Sequence, residues 1–90
     1  MSRTIHKFPL QITDDQTIEM PGEIVKPLHV GEQNGVLFLW ARVDQEEESF
    51  PHRVRILGTG HVWPLGLNVA NYVGTVQMQS GLVWHVFVDT

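Results

Sequence analysis

Cysteine is absent from the 90 residues, which excludes disulfides, thiolate metal sites and cysteine nucleophiles. A reducing, cytoplasmic setting is the natural expectation for such a chain. Serine is sparse, occurring only at Ser2, Ser49 and Ser80, each terminal or in a turn signal, so no Ser-His-Asp arrangement can be assembled. Basic residues are also few: 6 Lys and Arg stand against 10 Asp and Glu, for a formal net charge of −4. That balance argues against a general phosphate-backbone binder, and no long nucleic acid is expected as a partner. No apolar run approaches the roughly 18 residues of a membrane span, and the segment Met1 to Lys7 lacks the apolar stretch of a signal peptide.

What is present is β-forming sequence. Valine, isoleucine, threonine and aromatics dominate, and breaks arrive at the roughly eight-to-twelve-residue spacing of all-β folds. A single domain over residues 1–90 is expected, without repeats or linkers. Its fold class is all-β, a small antiparallel sandwich or partly open barrel of about six or seven strands built on two hairpins. A first strand is predicted from Arg3 to Phe8, ended by Pro9. A short one follows at Thr17–Met20, closed by Pro21-Gly22, and a fifth at about His52–Leu57. The acidic run Gln45 to Ser49 reads as a solvated loop. The stretch His61 to Asn71, with Trp63-Pro64 and Gly66, reads as irregular with room for one helical turn, and Trp63-Pro64 as either a flap over the face that carries Trp40 and Arg55 or a plug in the core.

The strongest local signal is Asn34-Gly35 between two alternating segments, the signature of a type I′ hairpin. Its register sets His29 opposite Trp40, Val30 opposite Leu39, Gly31 opposite Phe38 and Leu28 opposite Ala41. Leu28, Val30, Leu37, Leu39, Ala41 and Val43 then point inward. His29, Gly31, Gln33, Phe38, Trp40 and Arg42 point outward. A second hairpin is predicted around Gln79-Ser80-Gly81, with Gly81 left-handed, pairing Met78 with Leu82 and Val76 with Trp84. It would give one apolar face made of Tyr72, Gly74, Val76 and Met78 with Leu82, Trp84, Val86 and Val88.

If the fifth strand joins the fourth through the acidic loop, Arg53 falls beside Arg42 and Arg55 beside Trp40. Adjacent like charges on a sheet favour an anion between them. An arginine over an indole is a favourable cation–π pair, and guanidinium groups hold phosphate or carboxylate bidentately. The predicted ligand site is therefore His29, Phe38, Trp40, Arg42, Arg53 and Arg55, with the turn Gly58-Thr59-Gly60-His61 supplying backbone amides and an imidazole. Trp40 would stack on a planar group, the three arginines would neutralise charge, and His29 or His61 would donate hydrogen bonds. The same residues also read as ordinary mixed surface, or as a subunit interface.

Gly58-Thr59-Gly60-His61 lacks the lysine and the strand–helix context of a phosphate-binding loop, and a tight turn is the reading it favours over an anion cradle. His6, His29, His52, His61 and His85 show no metal-ligand spacing, so neither a metal nor a cofactor is expected. No catalytic pair emerges, and the protein is not expected to be an enzyme. The function read from the residues is binding of an anionic, planar, nucleotide-like small molecule, by a homo-oligomer with ligand at a subunit boundary. The alternative is a protein–protein interaction module.

Several segments together carry a resemblance. They are Thr4 to Leu10 with Ile12-Thr13-Asp14, Thr17 to Pro21, Gln33-Asn34-Gly35 leading to Leu39-Trp40-Ala41, Gly58 to His61, Tyr72 to Thr75 and Trp84 to Phe87. This pattern resembles a family of small uncharacterised proteins of tailed phages and prophages, over nearly the whole chain. The Gln45–Ser49 loop and the Val62–Asn71 stretch are less typical of it. The resemblance carries no assigned activity; it implies an accessory protein in the host cytoplasm that acts on host factors, and the arginine and tryptophan face would suit sequestering a nucleotide-derived immune signal. The protein–protein alternative becomes inhibition of a host defence protein or a part in phage assembly.

Overall fold

A computed structural model of the protein describes residues 2–89. Among them, seven strands run in the order β1 (Arg3–Leu10), β2 (Asp15–Pro21), β3 (Lys26–Gln33), β4 (Val36–Asp44), β5 (Ser49–Gly58), β6 (Tyr72–Gln77) and β7 (Val83–Val88). A single 3-10 turn, Val69–Asn71, precedes β6. The strands form two antiparallel sheets, β1-β4-β3 and β2-β5-β7-β6, and neither closes on itself. The shortest dimension of the molecule is 17 Å, as expected of two sheets packed about 10 Å apart.

Strict alternation builds this sandwich. In β4, Leu37, Leu39, Ala41 and Val43 are buried while the residues between them are not. In β5, Val54 and Ile56 are buried on the same principle, and Val86 and Val88 do so in β7. These side chains, with Val30, Met20 and Val76, make one core between the sheets. Each fully buried aliphatic chain contributes about 1.5–3 kcal/mol. One polar side chain joins them: His52 is buried, and its Nε2 lies 2.9 Å from the Gly22 carbonyl, so Nε2 is the protonated, donating nitrogen. Gly22, at φ +100°, turns that carbonyl inward.

The Asn34-Gly35 hairpin has the predicted geometry, with φ of 52° and 82° at the two turn residues. His29, Val30 and Gly31 face Trp40, Leu39 and Phe38 as expected. Leu28 does not face Ala41. Pro27 takes that place, a bulge follows, and Leu28 is pushed out to 45% exposure. A proline cannot extend the ladder by donating its own amide, and the extra residue relieves the register there.

The second hairpin also has its predicted register, with Val76 opposite Trp84, Gly81 at φ +96° and a Met78 amide bond to the Leu82 carbonyl at 2.8 Å. Its apolar face is less clean than expected. Leu82 is exposed, and a register shift between Tyr72 and Gly74 puts Tyr72 opposite Phe87, on the other side from Val76. β1 runs through Pro9 to Leu10 because it is an edge strand, where a missing amide donor costs little.

The predicted partnership of β5 with β4 is wrong. The second neighbour of β4 is β1, and β5 lies between β2 and β7 in the other sheet. The chain leaves β4 through the acidic loop and crosses to the second layer, so the loop joins sheets rather than closing a hairpin. The inward positions of Val54 and Ile56 were correct because alternation does not depend on the neighbour. The placement of Arg53 and Arg55 did depend on it.

Candidate functional site

The structure divides the predicted ligand site between two faces. His29, Phe38, Trp40 and Arg42 stand on the outer face of β1-β4-β3. Arg53 and Arg55 stand on the outer face of β2-β5-β7-β6, on the opposite side of the core. The row joining His29, Trp40 and Arg55 therefore does not exist. Arg53 is committed elsewhere: its Nε and Nη2 donate to both carboxylate oxygens of Asp15 at 2.9 and 2.7 Å. This fork holds the Asp15 carboxyl below, and the Arg53 guanidinium above, its ordinary range, and in each case the hydrogen bond is the largest cause.

A more organised site lies on the second face. β5, β7 and β6 bring Leu57, His85 and Thr75 into one row and Arg55, Phe87 and Tyr72 into the next. The bulge at the start of β6 is what turns Tyr72 to this side. Segment 59–71 then folds back over the sheet. Its Trp63 meets Phe87 edge-on, with ring centroids 5.4 Å apart at 84°, and donates from Nε1 to the Leu67 carbonyl at 3.0 Å. Tyr72 meets Phe87 from the other side at 5.6 Å. Phe87 is buried although it points away from the core, because these two rings cover it. Trp63-Pro64 thus belongs to a flap and not to a core plug.

A groove of about 520 Å³ opens beside the flap, walled by Leu57, Trp63, Val69, Tyr72 and Phe87 with Gly58 to His61 at one end. A chain of side-chain hydrogen bonds runs along it. Thr59 Oγ1 is 2.7 Å from His85 Nε2, His85 Nδ1 is 2.8 Å from Thr75 Oγ1, and Thr75 Oγ1 is 2.5 Å from Tyr72 Oη. A neutral imidazole has one donor and one acceptor, so this chain is directional. In either direction, one terminal hydroxyl keeps a proton to donate while the other presents a free lone pair.

A second cavity of about 330 Å³ flanks the same segment and shares Leu57 and His61 with the groove. Arg55, Asp14 and Asp15 line it. Arg55 Nε is shielded from solvent and has no hydrogen-bond partner among the described residues. His61 occupies the space where a side chain at Gly58 would stand: a Cβ there would lie 2.8 Å from His61 Cε1. Its ring meets Trp84 edge-on at 6.5 Å. Among the described residues, no three His, Asp or Glu side chains gather as a metal site would need.

Five of the residues predicted from sequence, Arg55, Gly58, Thr59, Gly60 and His61, therefore meet around segment 59–71. Sequence reasoning missed Trp63, Tyr72, Thr75, His85 and Phe87. The signal for two of them was available, because the register that pairs Val76 with Trp84 also pairs Thr75 with His85. The bulge that places Tyr72 had no sequence signature.

No curated protein and no solved structure matches the chain. One family does, described as a domain of unknown function (DUF7352), and its match spans residues 1–90. The chain belongs to that family.

Proposed function

We propose that the protein binds a planar, anionic small molecule of nucleotide type in the groove between segment 59–71 and the outer face of β5, β7 and β6. One observation carries this reading. His85 holds a hydroxyl on each ring nitrogen, and the chain so formed ends in one donor and one acceptor within an apolar-walled groove. Heteroaromatic rings present alternating donors and acceptors on their edges, which is the complement of such a pair. Tyr72 and Trp63 supply the aromatic surface. The anionic part of the ligand reaches past His61 to the guanidinium of Arg55, whose shielded Nε has no hydrogen-bond partner among the described residues.

The reading is of binding rather than catalysis. His85 is oriented by the Thr75 hydroxyl and not by a carboxylate, so the charged partner that stabilises an imidazolium in hydrolases is missing. The resemblance of the motif set to small tailed-phage proteins supplies a use for such a receptor, removal of a host signalling molecule from the cytoplasm. Calorimetric titration with mononucleotides, cyclic nucleotides and ADP-ribose tests the proposal. At least one is expected to bind, with binding lost in His85→Ala and weakened about tenfold or more in Arg55→Ala. Silence across the set, or wild-type affinity in His85→Ala, would overturn it.

A further inference from the structure

Although the chain carries a net charge of −4, its charges are segregated. Four of the six Lys and Arg residues, Arg3, Lys7, Lys26 and Arg42, are exposed on the outer face of β1-β4-β3. Asp44 stands opposite Arg3, and Glu23 and Glu47 line the pocket that Arg3 and Arg42 share with it, so the acidic residues gather at one end of the face. Lys26 and Arg42 sit directly opposite each other, an arrangement that destabilises a sheet unless an anion lies between them. Neither has an ion-pair partner among the described residues.

Aromatic rings occupy the middle of the same face. Trp40 lies 5.6 Å from the His29 ring and 6.1 Å from the Phe38 ring, and Lys7 Nζ stands 4.5 Å above Phe38. Gly31, opposite Phe38, leaves the room that the His29 and Trp40 rings fill: a Cβ there would lie 3.3 Å from His29 Nε2 and 3.5 Å from Trp40 Cζ3. Phe38, Trp40 and Arg42 follow one another at alternate positions of β4, roughly 7 Å apart.

We infer that this face is a binding platform for single-stranded nucleic acid, separate from the groove on the other sheet. Bases stack on Trp40 and His29 while Lys7, held over the Phe38 ring, takes phosphates together with Lys26 and Arg42, the combination by which flat sheet surfaces hold unpaired strands. A duplex hides its base faces and has nothing to offer these rings. A second copy of the chain would bring the same cations against each other. The acidic loop at 45–48 borders the Arg3 end, so the strand crosses from the Lys26–Arg42 row toward Lys7 and Phe38.

Fluorescence anisotropy of a short labelled oligothymidylate, titrated with the full chain at several salt concentrations, tests this. Three phosphate contacts give a slope of log K against log salt of about −2. The double variant Lys26→Gln, Arg42→Gln, altered only at exposed positions, should flatten that slope by about one unit or more. Trp40→Leu, checked for folding by circular dichroism, should weaken binding about tenfold with the slope unchanged. His85→Ala should bind the strand as the wild type does, whatever becomes of the groove. No anisotropy change at low salt, equal affinity for duplex, or loss of binding in His85→Ala would each overturn the inference.

Discussion

Thr59 Oγ1 lies 2.7 Å from His85 Nε2, and this contact ties the turn after β5 to the outer face of β7. Thr59→Val keeps the shape and removes the hydroxyl. The site is open to water, so unfolding free energy should fall by only about 1 kcal/mol. Affinity for the groove ligand should fall about tenfold or more, because the chain loses one of its two ends. Denaturant unfolding and calorimetry on the same sample separate the two effects. A large stability loss with unaltered affinity would make the contact structural.

The Asp15–Arg53 fork makes a prediction about acid. A carboxyl with a lowered folded-state value stabilises the fold fully above its unfolded value, about pH 3.9, and loses that contribution as pH falls through the lowered one. The stability difference between wild type and Arg53→Ala should therefore be constant near neutrality and shrink below about pH 4. Carboxyl-carbon NMR of Asp15 should show its titration moving upward in Arg53→Ala. Groove binding should survive this variant, since Arg53 is spent on Asp15. An unmoved Asp15 titration would reject the role given to the fork.

Much of the fold could be read from local rules, and most of the site could not, for a single reason. Alternation and turn chemistry act within one hairpin, so Asn34-Gly35 and Gly81 fixed the two registers and Val54 and Ile56 pointed inward as expected. Which strand lies beside β4 depends on pairings between distant segments, and no local pattern encodes it. Arg42 and Arg53 were separated by that choice alone. Gly58 to His61 were correctly marked as a turn with chemistry, but their partner His85 stands 24 residues beyond His61 and only topology brings it near.

Gly74 and Val30 mark where β6 of one sheet approaches β3 of the other. A Cβ at Gly74 would stand 2.9 Å from Val30 Cγ2, and Val30 is buried. Gly74→Ala should cost about 1–3 kcal/mol by overpacking. Val30→Ala removes the obstructing methyl, so the double variant should be more stable than the sum of the single costs allows, by about 0.5 kcal/mol or more. Chemical denaturation of the four proteins gives the coupling. Strict additivity would place the two residues out of contact.

Trp63 is the fastening of segment 59–71. Its ring is half exposed, yet its edge covers Phe87 and its Nε1 holds the Leu67 carbonyl. Trp63→Ala forfeits an aromatic pair worth about 0.5–1.5 kcal/mol and a hydrogen bond worth about 1 kcal/mol. Those losses are local, because the core between the sheets does not include the indole. Hydrogen exchange should therefore accelerate first at the Leu67 and Asn71 amides, which bond to Pro64 and Asn68 within the segment. The ladder between β1 and β4 should remain protected. Trp63→Phe keeps a ring over Phe87 and should hold the segment better than alanine does. If Trp63→Ala instead speeds exchange throughout β4, the tryptophan supports the core and is not a local fastening of segment 59–71.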